Sequence, residues 1–415
     1  MCQSCFQLSC VGVEGCASAP GLARGPGLAP AAATEVRDYT ALLAYLDYPG
    51  TRFNALLPQP GAPVFVSYRF LESDQLPPLD AVAYAVTEVW SFGTAQRDST
   101  RAALAQLAAT AGVVFVETTA DTAMVDFHGA SGSTWAGWSN YPSVGDWGVG
   151  RGTLVMNRAD SFAPGSASFQ VLLHELGHAV GLKHPFDGGL VLAPDLDRTE
   201  NTLMSYSWSS SNLRVYSPFD VQALQHLYGA PRDLTGWTWA YQGWTFVLAA
   251  GPGDDIIPGT GSANSLAGGA GADLILGGPL NDTLTGGAGN DTLRGLQGNN
   301  LLIGGDGDDL FEGAAWGGRD TIWGGAGHDR VTLRAGNNEV WAGPGNDTLS
   351  GGSGSDTLGG GAGDDLIEAL DGQRNRLWGG DGQDTLRTAA WGDGAGGGFG
   401  NDLVHGGNGW DTLMG

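Results

Sequence analysis

Cysteine is almost absent from this 415-residue chain and is confined to its start, at Cys2, Cys5, Cys10 and Cys16. Disulfides therefore cannot cross-link the rest of the protein. Basic residues are also few: 19 Lys+Arg stand against 44 Asp+Glu, for a formal net charge of −25. So acidic a chain lacks the basic patches that hold nucleic acid or anionic membrane surfaces, and neither is expected as a partner.

Long apolar runs are missing as well. No stretch approaches the ~20 apolar residues of a transmembrane helix, so no membrane span is expected. The N-terminus has neither the basic segment nor the apolar segment of a secretory signal peptide. If the protein leaves the cell, we expect it to do so without such a signal.

Length and composition divide the chain into three regions, because 415 residues exceed what a single core organises. Residues 1–36 hold the cysteines and an Ala/Pro/Gly-rich linker, which predicts a leader or pro-segment. Residues 37–235 have the composition of a mixed α+β domain. Residues 236–415 are rich in glycine and acid, and positions 250–415 alone contain 23 Asp+Glu and 7 Arg.

Periodicity predicts the elements of the middle region. Alternating apolar residues indicate strands, and apolar residues at helical spacing indicate helices. The expected strands are 64–70, 113–116 and 124–127. The expected helices are 94–110 with Thr94 as N-cap, 169–181, and a third that starts at Ser217-Pro218 and closes at Gly229.

From residue 250 onward the sequence repeats every nine residues as Gly-Gly-x-Gly-x-Asp-x-U-x, where U is a large apolar residue. Residues 268–276 and 286–294 are clean copies, and a two-residue insertion falls near Trp316. Each unit supplies a glycine-rich turn and a short strand whose U residue points inward. Two units make one coil, so the pattern predicts an all-β parallel β-roll. A disordered glycine-rich tail, the alternative, does not explain an apolar residue at every ninth position.

The acidic turns predict calcium binding, because carboxylates and turn carbonyls are the ligands that this cation prefers. Positions eighteen apart should stack on one edge of the roll. We expect Asp273, Asp291 and Asp309 to stack on one edge, with Asp255 at the start of the other. Without calcium the carboxylates repel one another, so ion binding and folding should be linked.

The expected calcium ligands are Asp255, Asp273, Asp282, Asp291, Asp309, Asp329, Asp347, Asp356, Asp365, Asp384 and Asp411. Some turns carry asparagine instead, at Asn264, Asn300 and Asn338. Those turns are expected to bind calcium weakly or to remain empty.

A second metal motif, HELGHAVGLKH, begins at His174. His174 and His178 share one face of a helix. Gly181 lets the chain leave the helix, so that His184 can return as a third ligand. Three neutral nitrogens suit a catalytic zinc ion with an open position. Glu175, beside the first histidine, is placed to act as a general base.

Twenty residues beyond His184, the segment Leu203-Met204-Ser205-Tyr206 resembles the Met-turn of metzincins. Together with the zinc motif and the repeats, it makes residues 37–415 similar to a serralysin-type metalloprotease. That family belongs to the metzincin clan (peptidase M10) and carries RTX calcium-binding repeats. The resemblance implies a metzincin-like α+β catalytic domain followed by the roll.

The resemblance also implies roles for particular residues. Met204 would form an apolar floor beneath the zinc histidines, and Tyr206 would be a further zinc ligand that swings away to stabilise the oxyanion. Trp138 and Tyr141 are similar to the segment that borders the substrate, and residues 217–229 to the helix before the roll. Export through a one-step secretion apparatus is implied too, with an extracellular monomer as the product. The segment between His184 and Met204 is shorter than in the family, so one wall of the cleft should differ.

These inferences predict a secreted zinc endopeptidase that hydrolyses peptide bonds of extracellular proteins and is stabilised by its calcium-loaded roll. The peptide substrate should lie extended along an edge strand. One alternative is a calcium-dependent adhesin or surface-layer protein with an inactive peptidase-like domain; the intact Glu175 and three histidines count against it. A non-peptidase zinc hydrolase is disfavoured by the Met-turn. The sequence leaves open the natural substrate and whether Cys16 reaches the zinc.

Overall fold

A computed structural model describes residues 33–47, 53, 64–79, 86–131, 136–140, 143–145, 148–150, 152–157, 160–207, 215–313, 318–372, 374–389 and 392–415. The chain forms two compact units, Met1–Arg232 and Asp233–Gly415. Of the helices in these described ranges, none has both the length and the apolar character needed to cross a membrane.

The first unit combines a mixed sheet with a few helices. Its strands are β1 Thr34–Val36, β2 Val64–Phe70, β3 Glu88–Trp90, β4 Val113–Glu117, β5 Val125–Ser131, β6 Gly137–Ser139, β7 Ser143–Gly145, β8 Gly148–Gly150, β9 Gly152–Met156 and β10 Leu190–Leu192. Its helices are a 3-10 turn Tyr39–Leu42, α1 Ala44–Asp47, α2 Thr94–Ala108, α3 Ala167–Ala179 and α4 Pro218–Tyr228.

Six strands of this unit form one sheet in the order β4-β2-β5-β9-β6, with β3 paired to β5. Strands β4, β2, β5 and β9 run parallel to one another, whereas β6 runs antiparallel to β9 and β3 antiparallel to β5. Strand β6 therefore ends the described sheet with one backbone edge facing away from β9. Two further strand pairs, β1 with β10 and β7 with β8, stand apart from this sheet.

The core of the unit lies where apolar side chains of α2, α3 and α4 meet the sheet. Leu104 of α2, Leu172 of α3 and Leu224 of α4 are all within 2% of complete burial. The predicted strand at Val64–Phe70 is confirmed and is buried along its whole length. Burial at every position is typical of a strand that is covered on both faces.

Helix boundaries follow their capping residues, with one difference from prediction. Helix α4 begins after Ser217 with proline at its first turn, as expected. Helix α2 takes Gly93, not Thr94, as its N-cap, because the Gln96 side chain accepts the backbone N–H of Gly93 at 3.0 Å. The side-chain bond, which the spacing of apolar residues does not reveal, moves the cap by one position.

Helix α3 starts two residues before the predicted boundary. The hydroxyl of Ser166 accepts the backbone N–H of Phe169 at 3.1 Å and so caps the first turn. The helix ends at Ala179, and Gly181 follows with φ 101°, a left-handed conformation that glycine adopts at little cost. The chain is thereby turned out of the helix two residues after its end.

The second unit is a roll of two sheets. One contains β11 Thr238–Gln242, β12 Thr245–Ala249, β14 Ala263–Ala270, β16 Thr283–Ala288, β18 Leu301–Asp306, β20 Thr321–Ala326, β22 Glu339–Pro344, β24 Thr357–Ala362, β26 Arg376–Asp381, β28 Gly394–Phe399 and β30 Thr412–Met414. The other contains β13 Ile256–Pro258, β15 Leu274–Gly278, β17 Thr292–Leu296, β19 Leu310–Glu312, β21 Arg330–Thr332, β23 Thr348–Ser350, β25 Leu366–Glu368, β27 Thr385–Arg387 and β29 Leu403–His405.

The predicted β-roll is confirmed. Apart from the antiparallel hairpin β11–β12, successive strands within each sheet are parallel and belong to successive coils. The U residues point inward, as Leu266 and Leu284 show with 1% and 0% exposure in paired positions. Pairing partners are eighteen residues apart in these coils and twenty apart at Leu302 and Ile322. The wider spacing is the predicted insertion; Trp316 itself lies outside the described residues.

Candidate metal sites

The three motif histidines converge on one point. His174 and His178 lie four residues apart on α3, and His184 reaches them from the loop after Gly181. The Nε2 atom of His184 lies 3.2 Å from that of His174 and 3.1 Å from that of His178. Within the described part of the chain, these residues form a group whose potential ligand atoms all lie within 4.8 Å of one another. All three side chains are buried.

Backbone carbonyls orient two of the rings through their other nitrogen. His174 Nδ1 donates to the carbonyl of Leu203 at 2.9 Å, and His178 Nδ1 donates to the carbonyl of Leu182 at 2.7 Å. A carbonyl oxygen can only accept, so each Nδ1 carries the proton and each Nε2 keeps its lone pair in the neutral ring.

The third ring is oriented by a carboxylate that sequence reasoning missed. His184 Nδ1 bonds Asp187 Oδ2 at 2.9 Å. The loop that carries Asp187 is in turn held by the buried Lys183, whose Nζ donates to the carbonyls of Asp187 and, at 2.7 Å, of Leu190. The sequence signal for this role was an acidic residue, Asp187, three positions after the last motif histidine. A carboxylate behind an imidazole is a common second layer of metal sites.

The arrangement fits a zinc ion. Three Nε2 lone pairs face one another at close range, which is unfavourable unless a cation lies between them. Burial, and then the neighbouring His184, lower the pKa of His174 to about 3, so its ring stays in the neutral form that binds metal. Nitrogen ligands of a tetrahedral zinc ion lie about 3.3 Å apart, close to the separations found here.

Glu175 is fully buried on α3, directly after the first histidine. Strand β6 passes against it: a Cβ placed on Gly137 would lie only 2.9 Å from Glu175 Cγ. The absence of a side chain at Gly137 therefore lets the last strand of the sheet approach the helix that carries the histidines.

The substrate-edge residues are only partly described. Trp138 lies on β6. Its side chain, however, packs with Ala130 and Val155 and so lies on the opposite face of the sheet from Glu175, because neighbouring residues of a strand alternate. Its backbone, not its indole, is thus what β6 could offer to a peptide. Tyr141 lies outside the described residues.

Met204 packs against the helix that carries the first two histidines. It is fully buried, and its Sδ would be 2.6 Å from a Cβ on Gly177, in the middle of α3 between the two helix histidines. The turn itself is fixed by Asp220 of α4. Asp220 Oδ1 accepts the Thr202 hydroxyl at 2.6 Å, and Oδ2 accepts the Leu203 backbone N–H at 2.7 Å.

Asp220 also caps its own helix, because Oδ2 accepts the backbone N–H of Ser217 at 2.9 Å. It holds Leu203, whose carbonyl orients His174. The complete burial of Asp220 raises its pKa to about 6 despite these hydrogen bonds. Sequence reasoning missed this second role, since the partners are 17 and 18 residues away.

Aromatic rings border the third histidine. The Tyr206 ring centroid lies 4.7 Å from that of His184 and 5.8 Å from that of His174. Phe186, which sequence reasoning also missed, stacks on His184 at 5.1 Å and remains 40% exposed. The sequence signal for Phe186 was its position as an apolar residue just beyond the zinc motif.

In the second unit, nine aspartates form one column along an edge of the roll. Each backbone N–H donates to Oδ1 of the next member, at 2.7–3.0 Å. The members are Asp255, Asp273, Asp291, Asp309, Asp329, Asp347, Asp365, Asp384 and Asp402. The expectation that Asp255 starts the other edge is wrong, because it precedes Asp273 by eighteen residues and bonds it at 2.8 Å.

The opposite edge carries a second column, joined by the same backbone bond. Its members are Asn264, Asp282, Asn300, Asp320, Asn338, Asp356, Asn375, Asp393 and Asp411. The predicted ligands Asp282, Asp356 and Asp411 thus lie apart from the other eight. Sequence reasoning missed Asp320, Asp393 and Asp402, although their spacing of 18 to 20 residues from their neighbours could have revealed them.

Burial perturbs the carboxylates of these columns. It raises the pKa of Asp309, Asp329 and Asp365 to about 7, with neighbouring aspartates adding to the effect and backbone hydrogen bonds opposing it. The same cause raises the pKa of Asp282 on the other edge to about 7. Holding these groups charged at neutral pH therefore requires a compensating partner.

Comparison with known families agrees with this architecture. The sequence model of the RTX calcium-binding nonapeptide repeat matches residues 249–284, 285–315, 317–340, 334–367, 360–390 and 397–415. The second unit is accordingly a parallel β-roll of RTX calcium-binding repeats. Calcium is the ion that repeats of this kind bind.

Proposed function

We propose that this protein is a secreted zinc endopeptidase of the serralysin type, whose first unit has a metzincin-like fold. The observation that carries the proposal is the convergence of three histidine Nε2 atoms. In two of these rings the Nδ1 atom bonds a backbone carbonyl, and in the third it bonds a carboxylate. A helix, a loop and a turn from separate stretches of sequence all contribute to it.

His174, His178 and His184 would hold zinc, which would supply a Lewis acid that polarises the scissile carbonyl and lowers the pKa of a bound water towards ~7. Glu175, in the next helical position after His174, would accept the proton of the attacking water. It would then deliver that proton to the amine of the leaving peptide. The buried surroundings of Glu175 strengthen any electrostatic contact that it makes.

The substrate peptide would lie along β6, whose backbone edge away from β9 can pair with an extended chain. Tyr206, beside His184, would donate a hydrogen bond to the oxyanion. Phe186, exposed next to the same histidine, would offer an apolar contact to a side chain of the peptide.

The calcium roll would let the protein fold after export, where calcium is abundant. Extracellular calcium modules bind in the range of about 10⁻⁴–10⁻³ M. We expect a monomer exported by a one-step secretion apparatus, with protein or peptide substrates outside the cell.

The test is casein hydrolysis by the purified full chain in CaCl₂, together with its zinc content by mass spectrometry. Glu175→Gln should retain zinc and lose activity by orders of magnitude, because the base is replaced by a group that cannot take a proton. Glu200→Gln, at an exposed position, is the matched control and should leave both unchanged.

Retention of most activity by Glu175→Gln would refute the role of that residue. A folded wild-type chain that binds zinc yet cleaves no protein substrate would instead favour the calcium-dependent adhesin with an inactive peptidase-like domain.

A further inference from the structure

The two columns of the roll differ in composition. The column that starts at Asp255 contains aspartate at all nine levels and is called the Asp edge below. The column that starts at Asn264 alternates asparagine and aspartate down to Asn375 and is called the Asn edge. A cation between two successive coils would thus meet two carboxylates on the Asp edge, but only one over most of the Asn edge.

The turns that precede these residues differ in the same way. From Gly269 to Gly400, each turn of the Asp edge has two glycines in the left-handed conformation, as at Gly269 and Gly271 with φ 111° and 130°. Among the described residues, turns of the Asn edge have at most one such glycine, and the first two have none. Backbone geometry and side-chain charge therefore vary together, although either could have varied alone.

On the Asp edge, seven aspartates each have one carboxylate oxygen that makes no hydrogen bond within the described chain. Oδ1 accepts the backbone bond of the column, whereas Oδ2 is buried and has no hydrogen-bond partner within the described chain. This holds for Asp273, Asp291, Asp309, Asp329, Asp347, Asp365 and Asp384. These residues are only 1–2% exposed. A row of buried, unpartnered anionic oxygens requires cations to be stable.

On the Asn edge, the side-chain amide occupies the corresponding place. Asn264 Nδ2 donates at 2.8 Å both to the carbonyl of Ser262 in its own turn and to Asp282 Oδ1 of the next coil. Asn300 Nδ2 likewise bonds the Gln297 carbonyl at 3.2 Å and an oxygen of the next aspartate at 3.0 Å.

The same bridge recurs at the next asparagine. Asn338 Nδ2 donates to the Ala335 carbonyl at 3.3 Å and to Asp356 Oδ1 at 3.0 Å. A turn carbonyl and a carboxylate of the next coil are the two kinds of ligand that a calcium ion would take. The amide satisfies both with hydrogen bonds.

Three aspartates of the Asn edge are satisfied by the protein as well. Asp393 Oδ2 accepts the backbone N–H of Ala389 at 2.8 Å, and Asp411 Oδ2 accepts the Thr388 hydroxyl at 3.3 Å. Near the start of this edge, Asp282 Oδ2 accepts the backbone N–H of Gly278 at 2.6 Å.

Asp356 departs from this pattern, because its Oδ2 is buried and lacks a hydrogen-bond partner within the described residues. Its neighbours in the column are Asn338 and Asn375, so neither adjacent level supplies a second carboxylate. A calcium ion there would meet half of the anionic charge that an interval of the Asp edge offers.

We propose that calcium binds along the Asp edge alone, and that the Asn edge is a metal-free seam in which asparagine amides replace the ions. The roll is then closed by ions on one side and by hydrogen bonds on the other. Nine aspartates bound eight intervals between coils, each spanned by one backbone-to-carboxylate bond.

The first test needs no variant. The full chain, dialysed to equilibrium against CaCl₂, should bind about eight calcium ions in excess of the dialysis buffer by mass spectrometry, one for each interval of the Asp edge. Anomalous diffraction from crystals grown in CaCl₂ should place them beside Asp273, Asp291 and the rest of their column. A content near twice that number, or an ion bound on the Asn edge beside Asn264, Asn300 or Asn338, would overturn the proposal.

A pair of isosteric variants provides the second test. Asp291→Asn on the Asp edge should lower the calcium content by about two ions, since Asp291 borders two intervals, and should raise the calcium concentration needed for folding. Asp282→Asn, a neighbouring level of the Asn edge, should leave the calcium content unchanged. Equal loss of ions from both variants would contradict the proposal, and the wild-type count decides the matter if either variant fails to fold.

Discussion

The histidine cluster and the calcium roll differ in how much of each site the protein completes by itself. Around the histidines, neutral ligands are brought together and the Nδ1 atoms already have partners, among them Leu203 and Asp187. Along the Asp edge, charged ligands are brought together and their Oδ2 atoms have none within the described chain, as at Asp291 and Asp309. A site of neutral donors on a packed helix can form before its ion, whereas a column of carboxylates depends on its ions to fold.

The apolar cores around the two sites differ as well. Helix α3 is buried along nearly its whole length and belongs to a large apolar cluster. In the roll, short strands such as Leu310–Glu312 each place a single fully buried apolar residue, here Phe311, inside the coil. With less apolar surface per residue, the roll has less to set against carboxylate repulsion.

Calcium removal should have the largest effect. In calcium-free buffer at pH 8 the roll should lose its β-structure, because the carboxylates of the Asp edge then repel without compensation. Far-UV circular dichroism before and after restoring CaCl₂ measures the change. If the roll keeps its full circular dichroism signal without calcium, it does not depend on its ions to fold, and the difference from the histidine cluster disappears.

Loss of one histidine should affect the histidine cluster and leave the roll unchanged. His178→Ala is expected to lower zinc content by at least about tenfold, since it removes a direct ligand. The calcium-dependent change in circular dichroism should remain as in the wild type. Unchanged zinc content by mass spectrometry would show that the three rings do not share an ion.

Acid should partly replace calcium. The folded-state pKa values of Asp273, Asp309 and Asp329 are raised to about 6–7 above the ordinary value of 3.8, so the folded roll binds protons more tightly than the unfolded chain. Its stability should therefore rise as pH falls through 7 towards 4 and be lost again as pH rises. Far-UV circular dichroism without calcium should show more β-structure at pH 5 than at pH 8. Equal or less β-structure at pH 5 would contradict this assignment.

The smallest effect is expected at the turn that carries Leu203 and Met204. Asp220→Asn should destabilise the first unit by about 1–3 kcal/mol, because one of its oxygens becomes an N–H donor facing the backbone N–H groups of Leu203 and Ser217. Denaturant unfolding measures the loss. Asp98→Asn, at an exposed position of α2, is the control and should change little. Equal stability of the two variants would show that Asp220 does not anchor the turn.

Much of the architecture could be predicted where the signal is local. The start of α4 at Ser217-Pro218 and the inward row of U residues follow from capping and periodicity, and both are found. The N-cap of α2 was predicted one residue late, because the Gln96 side chain decides it. The edge of Asp255 was predicted wrongly even though its spacing of eighteen from Asp273 places it correctly.

The site was harder to predict in full. The histidines were found from their spacing, but the roles of Asp187, Lys183 and Asp220 depend on hydrogen bonds that no motif encodes. Trp138 was singled out only as part of a segment that borders the substrate, and the face that its indole occupies follows from the pairing of β6 with β9.

The sequence by itself determined the periods of this protein: histidines four apart on one helix and an aspartate or asparagine at each turn of the roll. Periods suffice there because a helix and a coil bring residues at fixed separations together. Only the tertiary structure decided which groups complete each site, such as the Leu203 carbonyl behind His174 and the amide of Asn264 beside Asp282. Those contacts join distant or differently oriented stretches of chain, and packing, not spacing, sets their distance.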